Sequence, residues 1–261
     1  MNYPNPPSLL HGILADGGLS TLFQPIFHIG GDRPALFAVE ALSRGPKGSN
    51  AERAEVMFEY VRRKGKEVEV DHACAIAALK ASVGVPPGCA ISINVHASTL
   101  ERDELWTPFL SDACDRYGLP LSRLILEIVE QQKYWDERRF FETLDRLRGA
   151  GIRIAVDDIG LGYSNYRTLI EIRPEFFKID PYFVTGSSEK WHARAAIESI
   201  VLLAERLGGD VIAEGIESEA DLRALRDLGI RLGQGYYLAL PSATPPVCMQ
   251  RFREDSATTL A

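Results

Sequence analysis

The sequence predicts an α/β protein, specifically a TIM-like (β/α)8 barrel whose first strand runs antiparallel. Eight apolar runs of strand length alternate with amphipathic runs of helix length, which favours a mostly parallel sheet covered by helices. Eight strands in a chain of 261 residues fit a closed barrel better than an open sheet. Only residues 29–34 join the first two runs, whereas a parallel crossover needs about a dozen or more, so these strands should form an antiparallel hairpin.

The strands are predicted from their apolar runs, and the helices from the amphipathic stretches between them. The predicted strands are Leu22–His28, Ala35–Ala41, Ala90–Val95, Leu124–Ile128, Ile152–Asp157, Phe176–Asp180, Asp210–Glu214 and Leu232–Leu238. The predicted helices are Ala51–Arg63, Asp71–Ser82, Thr99–Tyr117, Asp136–Ala150, Trp191–Leu207 and Glu219–Leu228. We expect one domain at 19–250, with a loose N-terminal extension at 1–18 and a C-terminal tail at 251–261.

The composition is that of an ordinary globular protein, with 46% hydrophobic and 25% charged residues. The net charge of −7 argues against binding to nucleic-acid polymers or membrane surfaces, since basic residues supply most of that binding. The four cysteines are scattered without a C-x-x-C pair, which favours a reduced, cytoplasmic protein over a disulfide or zinc protein. The N-terminus lacks a signal-peptide pattern, and no apolar run approaches the roughly 20 residues of a membrane span.

Polar side chains stand near the C-terminal ends of seven predicted strands. In a parallel barrel these ends meet on one face, where catalytic residues gather from several strands. Taken singly, each residue has an ordinary explanation, such as a turn former, a helix N-terminal acid or an interior lysine paired with an acid. Together they would place six carboxylates at one mouth with little positive charge, so a shared site is the better hypothesis. The residues are Glu40, Asn94, Glu127, Asp157, Asp158, Lys178, Asp180, Glu214 and Gln234.

The stretch RIAVDDIGLGY, residues 153–163, ends an apolar run on the adjacent Asp157 and Asp158. Neighbouring carboxylates resist ionising together, so either a solvated turn or divalent cations must explain them. The candidate ligands at the strand ends contain no Cys or His, and His96 is left out of the set because it lies past its predicted strand end. Oxygen donors alone favour hard cations such as Mg²⁺, Mn²⁺ or Ca²⁺. Paired aspartates fit a two-metal site of the kind that hydrolyses phosphoesters. Arg44 fits either a clamp on a substrate phosphate or a surface ion pair.

These residues lie in an ordered set of motifs that resembles the EAL-domain family of bacterial cyclic di-GMP phosphodiesterases. The signature is Glu40-Ala41-Leu42, followed by Ser43-Arg44. The further motifs are FQPI (Phe23–Ile26), SINV (Ser92–Val95), LEIVE (Leu126–Glu130), DDIGLGYS (Asp157–Ser164), FKID (Phe177–Asp180), AEGIE (Ala213–Glu217) and GQGYYLALP (Gly233–Pro241). The resemblance runs from about residue 19 to 250, and the ordered set is far more specific than the tripeptide alone.

The resemblance implies a role for each matching residue, and the EAL fold it implies has an antiparallel first strand. The implied ligands of one metal are Glu40, Asn94, Glu127 and Asp157, and those of the second are Asp157, Asp158 and Glu214. The implied catalytic residues are Glu214, Lys178 and Asp158, with the general base left open between Glu214 and a metal-bound hydroxide. The implied substrate-site residues are Gln24, Leu42, Arg44, Glu217 and Gln234, and Glu130 is implied to support the loop after the paired aspartates.

The implied reaction is hydrolysis of one phosphodiester bond of cyclic di-GMP, which gives linear pGpG. The implied cofactors are two divalent ions, Mg²⁺ or Mn²⁺, with Ca²⁺ inhibitory. A homodimer is also implied. No nucleic-acid polymer and no membrane are expected as partners.

The sequence departs from the family pattern around the paired aspartates. Ile159 replaces an aromatic residue, Leu161 a threonine, Asn165 a serine and Val129 a threonine. Each lost hydroxyl removes a possible hydrogen bond of about 1 kcal/mol net. Two functional hypotheses therefore remain, an active phosphodiesterase and a weakly active or inactive cyclic di-GMP receptor that signals to a protein partner. The intact ligand set favours the enzyme.

Overall fold

Eight strands close into a barrel in which each strand pairs with its neighbours in chain order. The computed structural model describes residues 8–129, 137–161 and 166–246. The strands are β1 (Ser20–His28), β2 (Ala35–Arg44), β3 (Ala90–His96), β4 (Leu124–Val129), β5 (Arg153–Ile159), β6 (Phe176–Ile179), β7 (Asp210–Ala213) and β8 (Leu232–Gly233). Strand β1 is antiparallel to both β2 and β8, and every other pair is parallel. The predicted barrel and its antiparallel first strand are confirmed.

Helices cover the outside of the barrel and make the parallel crossovers. Within the described ranges they are α1 (Leu9–Leu14), α2 (Ala54–Arg63), α3 (Glu67–Ala81), α4 (Ala97–Arg102), α5 (Trp106–Tyr117), α6 (Glu137–Gly149), α7 (Tyr166–Ile172), α8 (Pro181–Val184), α9 (Trp191–Leu207) and α10 (Glu219–Asp227). Short 3₁₀ turns lie at Asn50–Glu52, Ser82–Gly84 and Leu121–Arg123. Between the strands and the helices lies the main apolar core, which includes the fully buried Trp106, Phe140 and Phe177.

A smaller apolar layer fills the inside of the barrel, and every strand contributes one residue to it. The layer consists of Ile26, Ala38, Ala90, Ile125, Ala155, Phe176, Ile212 and Leu232. Residues two apart on a strand share a face. The residue two positions after the apolar-layer residue of each strand from β2 to β8 therefore also points inward, one layer closer to the C-terminal end of the barrel. Those residues are Glu40, Ser92, Glu127, Asp157, Lys178, Glu214 and Gln234. The inner face therefore changes from an apolar layer to a polar layer, which we call the charged layer because five of its seven side chains are ionisable, in one step of the pleat.

Two predicted elements differ from the structure. Strand β8 ends at Gly233 rather than at residue 238, because the following chain packs against the backbone of the loop after β7. A Cβ on Gly235 would lie 2.2 Å from the Ile216 backbone, so only glycine allows this approach. The predicted helix 99–117 is two helices, α4 and α5. Asp103 divides them, since its carboxylate accepts hydrogen bonds from the backbone N–H of Leu105 and from the His72 ring.

Three helices have no counterpart among the predicted elements. Helix α1 lies inside the expected N-terminal extension, where Ile13 is buried with Met57 and Val61 of α2. Helix α7 lies between β5 and β6, where a parallel crossover requires such an element. Helix α8 follows β6 and is capped by the Asp180 carboxylate. Within the described residues, none of the helices combines the length and the hydrophobicity needed to cross a bilayer.

Candidate active site

Lys178 lies at the centre of the charged layer, surrounded by four carboxylates from four other strand ends. Its side chain is only 1% exposed. Its Nζ lies 2.6 Å from Glu127, 2.8 Å from Glu214 and 3.0 Å from Asp157. Glu40 is slightly further away, at 3.6 Å. The Lys178 ammonium has three N–H donors and one positive charge for four carboxylates, so it cannot neutralise them all and the cluster keeps an excess of negative charge.

Neutral side chains hold the carboxylates of this cluster in place. The Gln234 amide nitrogen donates to both Glu40 and Glu214, at 2.7 Å each. The Ser92 hydroxyl donates to Glu127 at 2.5 Å, and the Asn94 amide donates to Glu40 at 3.2 Å. These bonds fix the carboxylate orientations, as expected where several oxygens must face a common point.

Burial, together with the crowding of like charges, shifts the pKa values of this cluster. Burial, with the Glu40 carboxylate, raises the pKa of Glu127 to about 8, and Lys178 offsets only part of this. Burial also raises the pKa of Glu214 well above its usual value; Lys178 opposes the rise and the Asp157 and Glu40 carboxylates add to it. Burial alone would lower the pKa of Lys178, but the surrounding carboxylates raise it well above its usual value. Without further positive charge, the cluster therefore retains protons near neutral pH.

The paired aspartates occupy the end of β5. Oxygens of Asp157, Asp158 and Glu214 lie within 4.8 Å of one another, a spacing suited to a metal ion. Asp158 adopts a left-handed backbone with φ 52°, which is uncommon for a residue other than glycine. Partial burial of its carboxyl group and the charges of Asp157 and Asp180 raise the pKa of Asp158 to about 6, although the residue as a whole is exposed.

A cleft of about 710 Å³ opens beside the carboxylate cluster. One wall carries Glu40 and Asp157 of the cluster together with Asn94, and Leu42 and Arg44 continue along β2. Residues of α2 and the end of β3 line the rest, among them Ala54, Glu55, Phe58, Glu59, Arg62 and His96. This volume lies within the range of pockets that bind drug-sized ligands.

A family model described as the EAL domain matches residues 8–241 of this chain. The chain belongs to the EAL domain family. Among curated relatives, the cyclic di-GMP phosphodiesterase PA2567 of Pseudomonas aeruginosa is 35% identical over 58% of this chain and 26% of its own length. The cyclic di-GMP phosphodiesterase RocR of the same organism is 35% identical over 58% of this chain and 38% of its own length. The chain thus spans only about a quarter to two fifths of these relatives.

Solved structures of EAL proteins share the fold. The complex of Klebsiella pneumoniae BlrP1 with calcium and cyclic di-GMP matches with a TM-score of 0.77 and 26% identity, covering 91% of this chain and 58% of that one. The manganese and cyclic di-GMP complex of BlrP1 at pH 9.0 matches with a TM-score of 0.76 and 27% identity, covering 86% and 56%.

The EAL domain structure brings some predicted site residues into the cluster and leaves others outside it. Gln24 pairs directly opposite Glu40 across β1 and β2, so the two side chains share a face. Glu217 is exposed, outside the residues that line the cleft. Glu130 and Asn165 lie outside the described residues. The substituted Ile159 is buried in the main core, so an apolar side chain still fills this position.

Sequence reasoning missed two groups that border the site. Ser92 shares a strand face with Asn94 two positions away, and this period-two spacing could have identified it. The second group is a buried pair, Asp71 and His96; His96 is the last residue of β3, not a residue past the strand end as the sequence predicted. Asp71 accepts hydrogen bonds from the His96 backbone N–H at 2.9 Å and from the Thr99 hydroxyl at 2.6 Å, and it contacts the His96 Nδ1 at 2.8 Å. Burial alone would lower the pKa of His96, but the Asp71 charge raises it above its usual value. The pairing joins α3 to β3, so only tertiary structure could show it.

Proposed function

We propose that this EAL domain is a metal-dependent phosphodiesterase that hydrolyses cyclic di-GMP to linear pGpG. The observation that carries the proposal is the set of buried carboxylates around Lys178, beside a cleft large enough for a nucleotide ligand. Membership of the EAL family and the names of the relatives PA2567 and RocR support cyclic di-GMP as the substrate.

The residues of the cluster fit two divalent cations. Five carboxylates (Glu40, Glu127, Asp157, Asp158 and Glu214) and one ammonium leave a net charge of −4 when all are ionised, which two divalent ions would neutralise. The donors are all oxygens, which favours Mg²⁺ or Mn²⁺. We propose Glu40, Asn94, Glu127 and Asp157 as ligands of one ion, and Asp157, Asp158 and Glu214 as ligands of the other. When bound, the ions would polarise the scissile phosphate and an attacking water.

The side chains of this chain supply the remaining chemistry. Water adds to phosphorus, the bond to one 3′ oxygen breaks, and that oxygen leaves with a proton. Glu214 is the proposed acceptor of the water's proton, because its carboxylate lies beside Asp157 and Asp158 among the proposed metal ligands. Lys178 places a fixed positive charge beside the reacting phosphate. Arg44 in the cleft is the proposed phosphate contact, with Gln24, Leu42, Glu217 and Gln234 as the other substrate-site residues.

The test follows pGpG formation from cyclic di-GMP by chromatography, with Mg²⁺ or Mn²⁺ and with an EDTA control. The wild-type protein should form pGpG only with metal, and Glu40→Ala should abolish it. Glu205→Ala is a matched control, because Glu205 is exposed near the end of α9, at the N-terminal end of the barrel strands. Ca²⁺ should support binding without turnover. Binding without turnover in Mg²⁺ and Mn²⁺ as well would refute the enzyme and support the receptor hypothesis.

The receptor hypothesis draws on the loop after the paired aspartates. Leu161 is 41% exposed where the family has a threonine, so the loop presents an apolar side chain in place of a hydroxyl. We further expect a cytoplasmic homodimer, on the basis of the family resemblance and the scattered cysteines. Light scattering of the purified protein tests the dimer.

A further inference from the structure

Three of the proposed metal ligands lie where the strand ladder is irregular or has just ended. The register between β5 and β6 shifts after Val156, so Asp157 and Asp158 fall outside the regular ladder. Strand β7 ends at Ala213, one residue before Glu214. Irregularities of this kind re-aim side chains beside active sites, but they also remove ladder hydrogen bonds. Contacts outside the ladder are therefore needed to hold these three carboxylates together.

Helix α8, which follows β6, lies against the loop after β5. The Phe183 ring fills the space beside Gly160, where a Cβ would lie 2.3 Å from a ring carbon. Gly160 has a φ of 104° and comes two residues after Asp158, whose φ of 52° is also left-handed. The Phe183 ring thus supports the turn that carries the paired aspartates.

Helix α8 also lies against the loop after β7. Gly215 directly follows Glu214 and has a φ of 68°, and a Cβ there would lie 2.6 Å from the Pro181 side chain. The Thr185 hydroxyl donates to the Gly215 carbonyl at 3.1 Å. Pro181 and Thr185, at the two ends of α8, therefore fix the backbone next to Glu214.

Helix α8 is only four residues long, but its own contacts fix its position. The Asp180 carboxylate caps the helix by accepting the Tyr182 backbone N–H at 2.6 Å, and Val184 is fully buried. After the helix, the Ser188 backbone N–H and hydroxyl both donate to one oxygen of the buried Asp221 on α10, at 3.2 and 3.1 Å. Helix α8 is therefore a fixed element between the two loops.

We propose that α8 is a bridge that sets the distance between the paired aspartates and Glu214, with Thr185 as a positioning residue that acts through Gly215. This inference rests on the metal site of the proposed function. Asp158 and Glu214 are proposed ligands of the same ion, but they follow β5 and β7, which are not neighbours in the barrel. Helix α8 contacts both loops and so joins them across β6. Removing groups that orient metal ligands without touching the metal lowers affinity by roughly 10- to 100-fold.

The test removes the Thr185 hydroxyl and measures metal binding directly. Calorimetry follows Mn²⁺ binding to the metal-free wild type and to Thr185→Val, Thr185→Ser and Thr244→Val. Thr185→Val keeps the side-chain shape but loses the donor, so it should weaken Mn²⁺ binding about tenfold. Thr185→Ser keeps the hydroxyl and should recover most of the affinity. Thr244 is exposed on the segment after β8, so Thr244→Val is the matched control and should bind Mn²⁺ like the wild type.

Turnover and unfolding separate positioning from stability. With saturating Mn²⁺, Thr185→Val should lower kcat for cyclic di-GMP with little change in KM, because the change misplaces Glu214 but leaves the cleft intact. A Thr185→Val protein whose Tm falls in EDTA, but whose Mn²⁺ affinity and kcat match the wild type, overturns the inference.

A double variant tests whether α8 acts as one element. Phe183→Leu leaves space beside Gly160, and Phe183→Leu with Thr185→Val is compared with the two single variants. A bridge already loosened at one end transmits little from the other. The double variant should therefore lose less Mn²⁺ affinity than the product of the two single losses. A loss equal to that product would show two independent contacts and overturn the bridge.

The outcomes also separate this inference from the proposed function. If the wild type hydrolyses cyclic di-GMP with Mn²⁺ and Thr185→Val does so equally well, the proposed function stands and only the bridge fails. If Thr185→Val weakens Mn²⁺ binding but the wild type has no turnover, the bridge stands and the phosphodiesterase fails. A wild type that binds no Mn²⁺ overturns both.

Discussion

Replacing Lys178 with methionine tests whether one buried ammonium holds the metal-free carboxylate cluster together. Methionine keeps most of the side-chain volume but leaves three carboxylates, at 2.6, 2.8 and 3.0 Å from the missing Nζ, without their shared counter-charge. Removing one partner of a buried ion pair costs about 3–5 kcal/mol, because the remaining charge stays buried and unpaired. In a chain of this size that corresponds to a fall in Tm of roughly 6–20 °C.

The assay is thermal unfolding in EDTA at pH 8.5 and at pH 6, with Lys80→Met as the control because Lys80 is exposed on α3. The loss should be larger at pH 8.5. At pH 6 the raised pKa of Glu127, about 8, keeps that carboxyl protonated and reduces the repulsion. A Tm within about 2 °C of the Lys80→Met protein at pH 8.5 would refute the argument.

Three further predictions concern the same layer. Metal-free wild-type protein should be less stable to urea at pH 8.5 than at pH 6. The pKa of Glu127 is about 8 in the folded protein and 4.5 for an ordinary glutamate in the unfolded chain, so between these values only the folded protein keeps the proton and stability falls as pH rises. A free energy of unfolding that is the same at both pH values contradicts this. Ser92→Ala should lower the free energy of unfolding in EDTA by about 1–3 kcal/mol, since Glu127 loses its 2.5 Å hydrogen bond; an unchanged urea midpoint argues against it. Gly160→Ala should weaken Mn²⁺ binding about tenfold by calorimetry, since its Cβ would lie 2.3 Å from the Phe183 ring and displace the paired aspartates. Gly48→Ala, which has a similar positive φ but open space, should bind Mn²⁺ normally, and equal losses in both would remove the steric argument.

Local patterns in the sequence were enough to predict the barrel and the polar groups at its mouth. A strand's side chains alternate with a period of two, so an apolar run that ends on a charged residue shows where the inner face becomes polar. The short connection 29–34 likewise indicated the antiparallel β1, because chain length alone forbids a parallel crossover there. These conclusions needed no knowledge of which strands pair.

The helices and strands of the structure differ from the predicted ones where segments far apart in the chain pack against each other. The run 232–238 has a strand's composition, but the loop at Ile216 takes the hydrogen bonds that would extend β8 beyond Gly233. The break between α4 and α5 depends on Asp103 reaching His72 across 31 positions. Helix α1 is short, and packing on α2 and α3 rather than its own propensity accounts for its burial.

The sequence by itself determined which residues could form a metal site, because oxygen donors at parallel strand ends must meet at one mouth. Only the tertiary structure decided how they meet. The registers of the parallel strands put Lys178 at the centre of the carboxylates, and Gln234 between Glu40 and Glu214. The packing of α2 beside β3 put Arg62 and His96 on the wall of one cleft. Such contacts depend on relative positions of elements far apart in the chain, and no periodicity within either element encodes those positions.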